Sequence, residues 1–131
     1  MAEGVLERIL CVEDDPDIQM IAQMALQEVG GFTVKLCASG EEALAEVEGF
    51  APDLMMLDVM MPGMDGPTLL KRLRERPESA AVPAIFLTAK AQSHEVAAYK
   101  AMGALGVITK PFDPMSLSAL VRDLWDARGG R

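Results

Sequence analysis

The sequence is short of positive charge, and it lacks several features that mark whole classes of protein. Its 131 residues include 12 lysines and arginines against 20 aspartates and glutamates, a formal net charge of −8. The basic residues are scattered, so the basic patch of a surface that binds nucleic acid directly is missing. No apolar run approaches the roughly 20 residues of a membrane-spanning helix, so we predict no membrane insertion.

Cysteines and targeting signals are also scarce. Cys11 and Cys37 are the two cysteines, and both fall inside apolar runs without metal-site spacing. We therefore predict buried free thiols in a reducing cytosol rather than a disulfide. The N-terminal stretch MAEGVLERIL contains Glu3 and Glu7 and lacks the basic start of a signal peptide, so we predict a cytoplasmic protein. The length predicts one domain over residues 1–131, with a core of about 8–128.

Short apolar runs alternate with helix-like segments along the chain. Most of the runs are continuously apolar, which is typical of parallel strands covered on both faces. In the second run Val34 and Leu36 alternate with Thr33 and Lys35, which predicts an edge strand with one wetter face. The alternation predicts a doubly wound α/β fold with a parallel sheet. The five runs are RILCV (8–12), FTVKLC (32–37), LMML (54–57), AIFL (84–87) and GVIT (106–109).

Apolar periodicity and capping residues predict the helices between these strands. The first helix has an apolar stripe from Ile18 to Val29, and the last carries Leu120 and Trp125 on its predicted core side. In chain order we predict a helix over 16–29 stopped by Gly30 and Gly31, one capped by Ser39 and Glu42, one opened by Pro67 and closed by Pro77, one capped by Ser93 and running to about Met102, and one started by Asp113 and Pro114 and ended by Gly129 and Gly130.

Polar residues follow four of the predicted strands directly. They are Glu13, Asp14 and Asp15 after the first strand, Asp58 after the third, Thr88 after the fourth and Lys110 after the fifth. Ligands of open parallel sheets bind outside the carboxyl ends of the strands, so these side chains are predicted to converge at one edge of the sheet.

Carboxylates that are packed together repel one another, and a divalent cation relieves that repulsion. Mg²⁺ prefers oxygen ligands and often takes one or two carboxylates together with phosphate oxygens, which suits Asp14, Asp15 and Asp58. A carboxylate beside Mg²⁺ can act as a nucleophile toward a phosphoryl donor and form an aspartyl-phosphate. Lys110 can then supply positive charge, and the Thr88 hydroxyl a hydrogen bond.

Four motifs in this order resemble the receiver domain of two-component response regulators, in its CheY-like, stand-alone single-domain form. They are ILCVEDD (9–15), DLMMLDVMMPGMDG (53–66), AIFLTA (84–89) and ITKPF (108–112). The resemblance covers the chain from Arg8 to about Arg128. It implies a flavodoxin-like (βα)5 three-layer sandwich with strand order 2-1-3-4-5.

The resemblance also implies a role for each site residue. Asp58 is the implied phospho-acceptor for a histidine kinase or a phosphotransfer protein. Asp15 is the implied main ligand of Mg²⁺ (or Mn²⁺), and Asp14 is expected to act largely through water. The backbone carbonyl of Met60 is implied as a further metal ligand. Thr88 and the backbone of Ala89 are implied as phosphate-binding and switch groups. Lys110, in a Lys-Pro bond that is usually cis in the family, is implied as the partner of the phosphoryl oxygens.

Three positions concern switching and the lifetime of the phosphate. The family has Tyr or Phe three residues before the lysine, and here that position is Val107, so the usual aromatic switch is in question. Met60 and Lys90 occupy the positions that tune dephosphorylation in the family, and Met60 offers no polar group to position water. We expect slow self-dephosphorylation, and we expect a protein target to dock on the face near residues 92–128.

Other interpretations of the same residues stay open at this point. Asp14 and Asp15 could simply favour the start of the first helix through its dipole. A haloacid-dehalogenase-type phosphatase also forms an aspartyl-phosphate, but it needs a second aspartate at position 60, which is Met60. A flavodoxin-like FMN binder would want a Ser/Thr/Gly-rich phosphate loop after the first strand. The lone histidine, His94, is expected to be exposed and inert.

Overall fold

The computed structural model describes residues 5–128 and shows five parallel strands with helices on both faces of the sheet. The strands are β1 (Arg8–Val12), β2 (Thr33–Cys37), β3 (Leu54–Asp58), β4 (Ala84–Thr88) and β5 (Gly106–Thr109). The helices are α1 (Pro16–Gln23), α2 (Gly40–Phe50), α3 (Gly66–Arg74), α4 (Ser93–Ala101) and α5 (Leu117–Ala127). Within residues 5–128, none of these helices has the length and apolarity that crossing a membrane requires.

The strands pair in the order β2-β1-β3-β4-β5, all parallel, which confirms the predicted doubly wound fold. Every residue of β3 and β4 is buried, as expected for central strands covered on both faces. β2 has only its last residue buried, and Lys35 pairs with Glu46 at 3.6 Å, which fits the predicted edge strand. The order reverses between β1 and β3, so the carboxyl ends of these two strands flank the crevice where ligands of such sheets bind.

The sheet separates two apolar layers. One layer contains Ala22 from α1 and Leu26 just after it, with Leu117 and Val121 from α5, and the other packs α2 and α3 against the opposite face. Because side chains alternate along a strand, Cys11 lies in the first layer. Cys37 lies in the second layer. The two thiols are therefore on opposite sides of the sheet, and burial raises the pKa of each to about 12.

The first predicted helix is divided into two kinds of helix. α1 ends at Gln23, and Met24–Val29 continues as a π-helical segment before Gly30. The Gly30 N–H donates to the Ala25 carbonyl at 3.1 Å, and the Ser118 hydroxyl of α5 donates to the same carbonyl at 2.6 Å. This change of pitch rotates the end of the predicted stripe outward, so Val29 is 45% exposed.

Three further predictions about helices need correction. Gln92, not Ser93, occupies the N-cap of α4, and the Glu95 carboxylate accepts the Gln92 N–H at 3.2 Å. Asp113 begins a turn, and α5 starts only at Leu117. Leu120, predicted on the core side, is 44% exposed. The predicted stop at Gly129 and Gly130 lies outside the described residues.

Candidate functional site

The site lies at the carboxyl edge of the sheet, where polar residues end or follow the strands. Asp58 and Thr88 are the last residues of β3 and β4, and both are buried. Glu13 follows β1 directly, and its N–H donates to the Cys37 carbonyl of β2 at 2.9 Å. Lys110 follows β5, and its N–H donates to the Thr88 carbonyl at 2.8 Å. Backbone pairing between neighbouring strands thus places these four residues side by side.

Three carboxylates form a compact group at this edge. One oxygen each from Glu13, Asp14 and Asp58 lies within 4.8 Å of the others, and Glu13 and Asp58 are both 1% exposed. Charge repulsion at this separation and burial is costly unless positive charge is nearby. The group is therefore a set of hard oxygen ligands suited to a small divalent cation.

Lys110 supplies positive charge to this group. Its Nζ donates to Asp58 Oδ1 at 2.9 Å and to Glu13 Oε1 at 3.2 Å. The Lys110-Pro111 peptide bond is cis. One ammonium faces three carboxylates, so Lys110 balances the charge only in part.

One oxygen of Asp58 has no partner within the part of the chain that the structure describes. Among residues 5–128 no group donates to the buried Asp58 Oδ2, whereas Oδ1 is bound by Lys110. A buried acceptor without a partner carries a desolvation cost, and in native proteins such an atom usually has a functional reason. Here it leaves a lone pair available for a metal ion or an incoming electrophile.

The pKa values follow from this arrangement. Burial raises the pKa of Glu13 to about 7, and the charge of Asp58 contributes to the rise. Burial also raises the pKa of Asp58, although the Lys110 hydrogen bond opposes this effect. Burial by itself would lower the pKa of Lys110, but its hydrogen bond to Asp58 and the nearby carboxylates raise it, so Lys110 is a cation at neutral pH.

Comparison with known proteins identifies the family. A model of the response regulator receiver domain matches residues 9–122. The chain belongs to the response regulator receiver family. Receiver domains of this family act in two-component signalling, so the resemblance inferred from the four motifs is confirmed.

Relatives of this receiver include complete regulators and single-domain structures. The response regulator Rre1 of Synechocystis is 36% identical over 124 residues, covering 95% of this chain and 53% of that protein. An uncharacterized 14.6 kDa protein of Leptolyngbya boryana is 40% identical over 114 residues, covering 87% of this chain and 86% of that protein. The structure of the Vibrio cholerae chemotaxis protein CheY4 superposes with a TM-score of 0.84 at 30% identity, covering 92% of this chain and 99% of that chain. The receiver spans about half the length of Rre1.

The structure changes the predicted set of carboxylates at the metal site. Asp15, predicted as the main ligand, is the N-cap of α1, and its Oδ1 accepts the Asp17 N–H at 2.8 Å. It lies outside the group of three, and Glu13 takes its place. The sequence did contain a signal for this. An aspartate directly before a first-turn proline such as Pro16 is a preferred N-cap, so the two acids before Asp15 were the better choice.

Two of the predicted phosphate-binding residues lie at the end of β4: Thr88 is its last residue, and Ala89 follows it. The Thr88 Oγ1 accepts the Lys90 N–H at 3.1 Å, which leaves the hydroxyl hydrogen available for donation. Ala89 and Lys90 are exposed. An apolar cavity of about 370 Å³ opens next to Lys110, lined by Ile18, Ile21, Ala89, Lys110, Pro111 and Phe112.

Met60 and Gly66 both follow Asp58 in the chain, but their surroundings differ. Position 60 is a methionine, 76% exposed, and has no carboxylate, so the second acid that a phosphatase of the haloacid-dehalogenase type needs is absent there. Gly66, the first residue of α3, is buried, and a Cβ at this position would lie 2.4 Å from the Asp58 carbonyl oxygen. A glycine is therefore required where α3 begins against the end of β3.

Val107 pairs with Phe86 in the β4–β5 register and is partly buried. Phe86 in turn packs against Tyr99, and the centroids of these two rings are 4.9 Å apart. The sole tyrosine of the chain thus packs from α4 onto the strand that ends in Thr88. His94, in the first turn of α4, is exposed as expected.

Proposed function

We propose that this receiver takes a phosphoryl group onto Asp58 from the phosphohistidine of a histidine kinase or a phosphotransfer protein, in a two-component system or phosphorelay. The observation that carries the proposal is the state of the Asp58 carboxylate. Its Oδ1 is bound by Lys110 at 2.9 Å, while the buried Oδ2 has no partner among the described residues 5–128. A carboxylate oxygen with an unused lone pair at the mouth of a strand can serve as the nucleophile toward phosphorus.

The residues beside Asp58 fit Mg²⁺ or Mn²⁺. We propose the carboxylates of Glu13, Asp14 and Asp58 as the protein ligands, because their oxygens lie within 4.8 Å of one another. The backbone carbonyl of Met60 is a fourth candidate on the strength of the family resemblance. When bound, the cation supplies positive charge for the oxygens of the incoming phosphoryl group.

In the transfer, an Asp58 oxygen bonds to phosphorus while the phosphorus–nitrogen bond of the phosphohistidine breaks, and the electron pair of that bond stays on the imidazole nitrogen. Lys110 is placed to exchange its hydrogen bond to Asp58 for one to a phosphoryl oxygen. The Thr88 hydroxyl and the Ala89 backbone N–H are proposed as further donors. The domain assists its own phosphorylation and later hydrolysis and turns over no free substrate.

The output is a change in protein docking. A phosphoryl group adds about two negative charges, and it shifts the population toward whichever conformation it stabilises more. Val107 has no ring to rotate, so we propose that the signal passes through the loop after Thr88 and through α4. The target docks on the face near residues 92–128, and no nucleic acid or membrane is contacted directly. The receiver core is residues 8–128, and it acts in the cytoplasm, where Cys11 and Cys37 stay reduced.

The phosphorylated state is proposed to be long-lived. Met60, with a side chain that is 76% exposed, has no polar group to hold an attacking water near Asp58. The Lys90 side chain is exposed and free either to remain in solvent or to approach the phosphate.

Incubation with acetyl phosphate and Mg²⁺, read by intact mass, tests the assignment of Asp58. The unmodified sequence is expected to gain the mass of one phosphoryl group, which hydroxylamine removes, as an acyl phosphate requires. Asp58→Asn is expected to gain none. Asp123→Asn, an exposed change on α5, is the matched control and should behave like the unmodified chain. Equal labelling of Asp58→Asn would end the proposal.

A further inference from the structure

Gln19 is a partly buried residue of α1 that lies outside the group of carboxylates. Its side-chain Nε2 donates to the backbone carbonyl of Glu13 at 2.6 Å. Only the amide nitrogen can donate to a carbonyl, so chemistry fixes the orientation of this amide. The contact reaches back six residues, from the second turn of α1 into the loop that carries Glu13 and Asp14.

Other contacts hold the two sides of this loop. The Glu13 N–H donates to the Cys37 carbonyl at 2.9 Å, and the Asp15 N–H donates to Glu13 Oε2 at 3.2 Å. The Gln19 contact differs because it holds the carbonyl of the peptide group that joins Glu13 to Asp14. Rotation of that peptide would change the direction of the Asp14 side chain, since the peptide nitrogen is bonded to the Asp14 Cα.

We propose that Gln19 is a positioning residue of the metal site, which fixes the peptide between Glu13 and Asp14 so that the Asp14 carboxylate stays beside Glu13 and Asp58. Before a cation binds, the three carboxylates repel one another and favour loop conformations that move Asp14 away. The Gln19 amide opposes that movement, so the ligands are already placed when the cation arrives and less ordering remains to be done. The inference rests on the proposed function, because it concerns the same site.

The test compares two glutamines one turn apart on α1. Gln19→Ala removes the donor, and Gln23→Ala is the matched control because Gln23 is exposed on the same helix. Mg²⁺ affinity is measured by titration calorimetry and Mn²⁺ affinity by electron paramagnetic resonance at one pH. Gln19→Ala is expected to bind either cation roughly tenfold more weakly, as is usual for residues that support metal ligands. Gln23→Ala is expected to stay within about twofold of the unmodified protein.

Urea unfolding in EDTA separates positioning from simple stability. A merely structural role would lower the urea midpoint of Gln19→Ala and leave the metal affinity unchanged, and that result would overturn the inference. Gln19→Asn keeps the amide but shortens its reach, so it is expected to lose affinity as Gln19→Ala does. It also provides a second folded variant for the same measurement.

The same samples distinguish this inference from the proposed function. If the unmodified protein binds Mg²⁺ but gains no phosphoryl group from acetyl phosphate, the proposed function fails while the comparison of Gln19 with Gln23 still decides the positioning role. If the unmodified protein binds neither cation, the positioning role fails as well. If phosphorylation occurs and both alanine variants bind metal equally well, only the positioning role is overturned.

Discussion

At the scale of single residues, three consecutive acids after β1 have three different tasks. Glu13 is buried and hydrogen-bonded to Lys110, Asp14 completes the carboxylate group, and Asp15 caps α1. These roles follow from position rather than residue type, because the strand ends at Val12 and the helix begins at Pro16. The acid directly before the helix is turned toward its first N–H groups, so only Glu13 and Asp14 remain to join Asp58 in the crevice.

The first prediction concerns which of these acids binds the metal. Above pH 7, where Glu13 is ionised, Glu13→Gln removes one unit charge from the site. A charge at about 4 Å is worth about 4 kcal/mol at an effective dielectric of about 20, so Mg²⁺ affinity is expected to fall roughly a hundredfold or more. Asp15→Asn is the control, because asparagine caps a helix as well as aspartate does and so preserves α1. Titration calorimetry measures both. A larger loss of affinity in Asp15→Asn would restore Asp15 as the principal ligand.

The second prediction concerns pH and stability in the absence of metal. Burial raises the pKa of Glu13 from its ordinary 4.5 to about 7, so the folded state holds this proton more tightly than the unfolded state. The stability that the proton contributes is complete below pH 4.5 and is lost as the pH rises through about 7. Glu13→Gln removes this dependence.

Urea unfolding in EDTA across that pH range measures the effect. Relative to the unmodified protein, Glu13→Gln is expected to gain stability as the pH rises, by about 3 kcal/mol in total. Carboxyl groups remote from Glu13 titrate equally in both proteins, so the difference reports Glu13 together with Asp58 and Lys110, which contact it. A difference that stays constant between pH 5 and 8 would contradict the buried carboxyl.

At the scale of elements, two glycines in helices differ in how much space surrounds them. Gly66 starts α3 where a Cβ would lie 2.4 Å from the Asp58 carbonyl oxygen. Gly49 lies inside α2, and a Cβ there would meet nothing within 4 Å. The first glycine permits close packing against the strand that carries the acceptor, whereas the second gives only backbone freedom.

The third prediction uses these two glycines as a matched pair. Gly66→Ala must displace backbone, since no flexible side chain can yield, and is expected to cost about 1–3 kcal/mol. Because the displaced backbone belongs to Asp58, phosphorylation by acetyl phosphate should also slow. Gly49→Ala is expected to stabilise by about 0.5–1 kcal/mol, since alanine favours the helix. Urea unfolding of the two alanine variants measures these changes in stability. Equal effects of the same sign would refute the packing argument.

At the scale of the whole molecule, the distribution of aromatic residues governs how a signal could spread. β5 has Val107 where relatives have a ring, and α4 has no fully buried residue. α4 rests on the sheet partly through Tyr99, which packs on Phe86 and so lies beside the strand that ends in Thr88. A conformational change at the phosphorylation site would therefore move few aromatic side chains on this face.

The fourth prediction is that activation changes this face less than in receivers with Tyr or Phe at the switch position. Tyr99 is the sole tyrosine, so incorporation of 3-fluorotyrosine gives a single fluorine resonance on the α4 face. Addition of beryllofluoride with Mg²⁺ is expected to move this resonance only slightly. Asp58→Asn should show no movement, and bound beryllofluoride reports occupancy separately. A shift as large as that of an aromatic-bearing relative labelled on the same face would refute the prediction.

Much of the fold could be predicted because local patterns and buried strands agree. The five apolar runs became the five strands, and the alternating face of β2 correctly indicated an edge. The first helical stretch ends at Val29 as predicted, but its π-helical part, Met24–Val29, was not predicted. There the Ser118 hydroxyl of α5 donates to the Ala25 carbonyl, a contact between residues 93 apart that no local pattern reveals. The start of α5 was placed too early, because the turn at Asp113 resembles a capped helix.

The sequence by itself determined which chemistry is available: an acid at the end of β3, acids after β1, a hydroxyl after β4 and a lysine after β5. These follow from strand ends, which local patterns reveal. The tertiary structure alone decided that the Glu13 carboxylate lies beside Asp58, that Lys110 bridges the two, and that one oxygen of Asp58 has no partner among residues 5–128. Those facts depend on distances between segments up to 97 residues apart, which the packing of the sheet sets and no local pattern encodes.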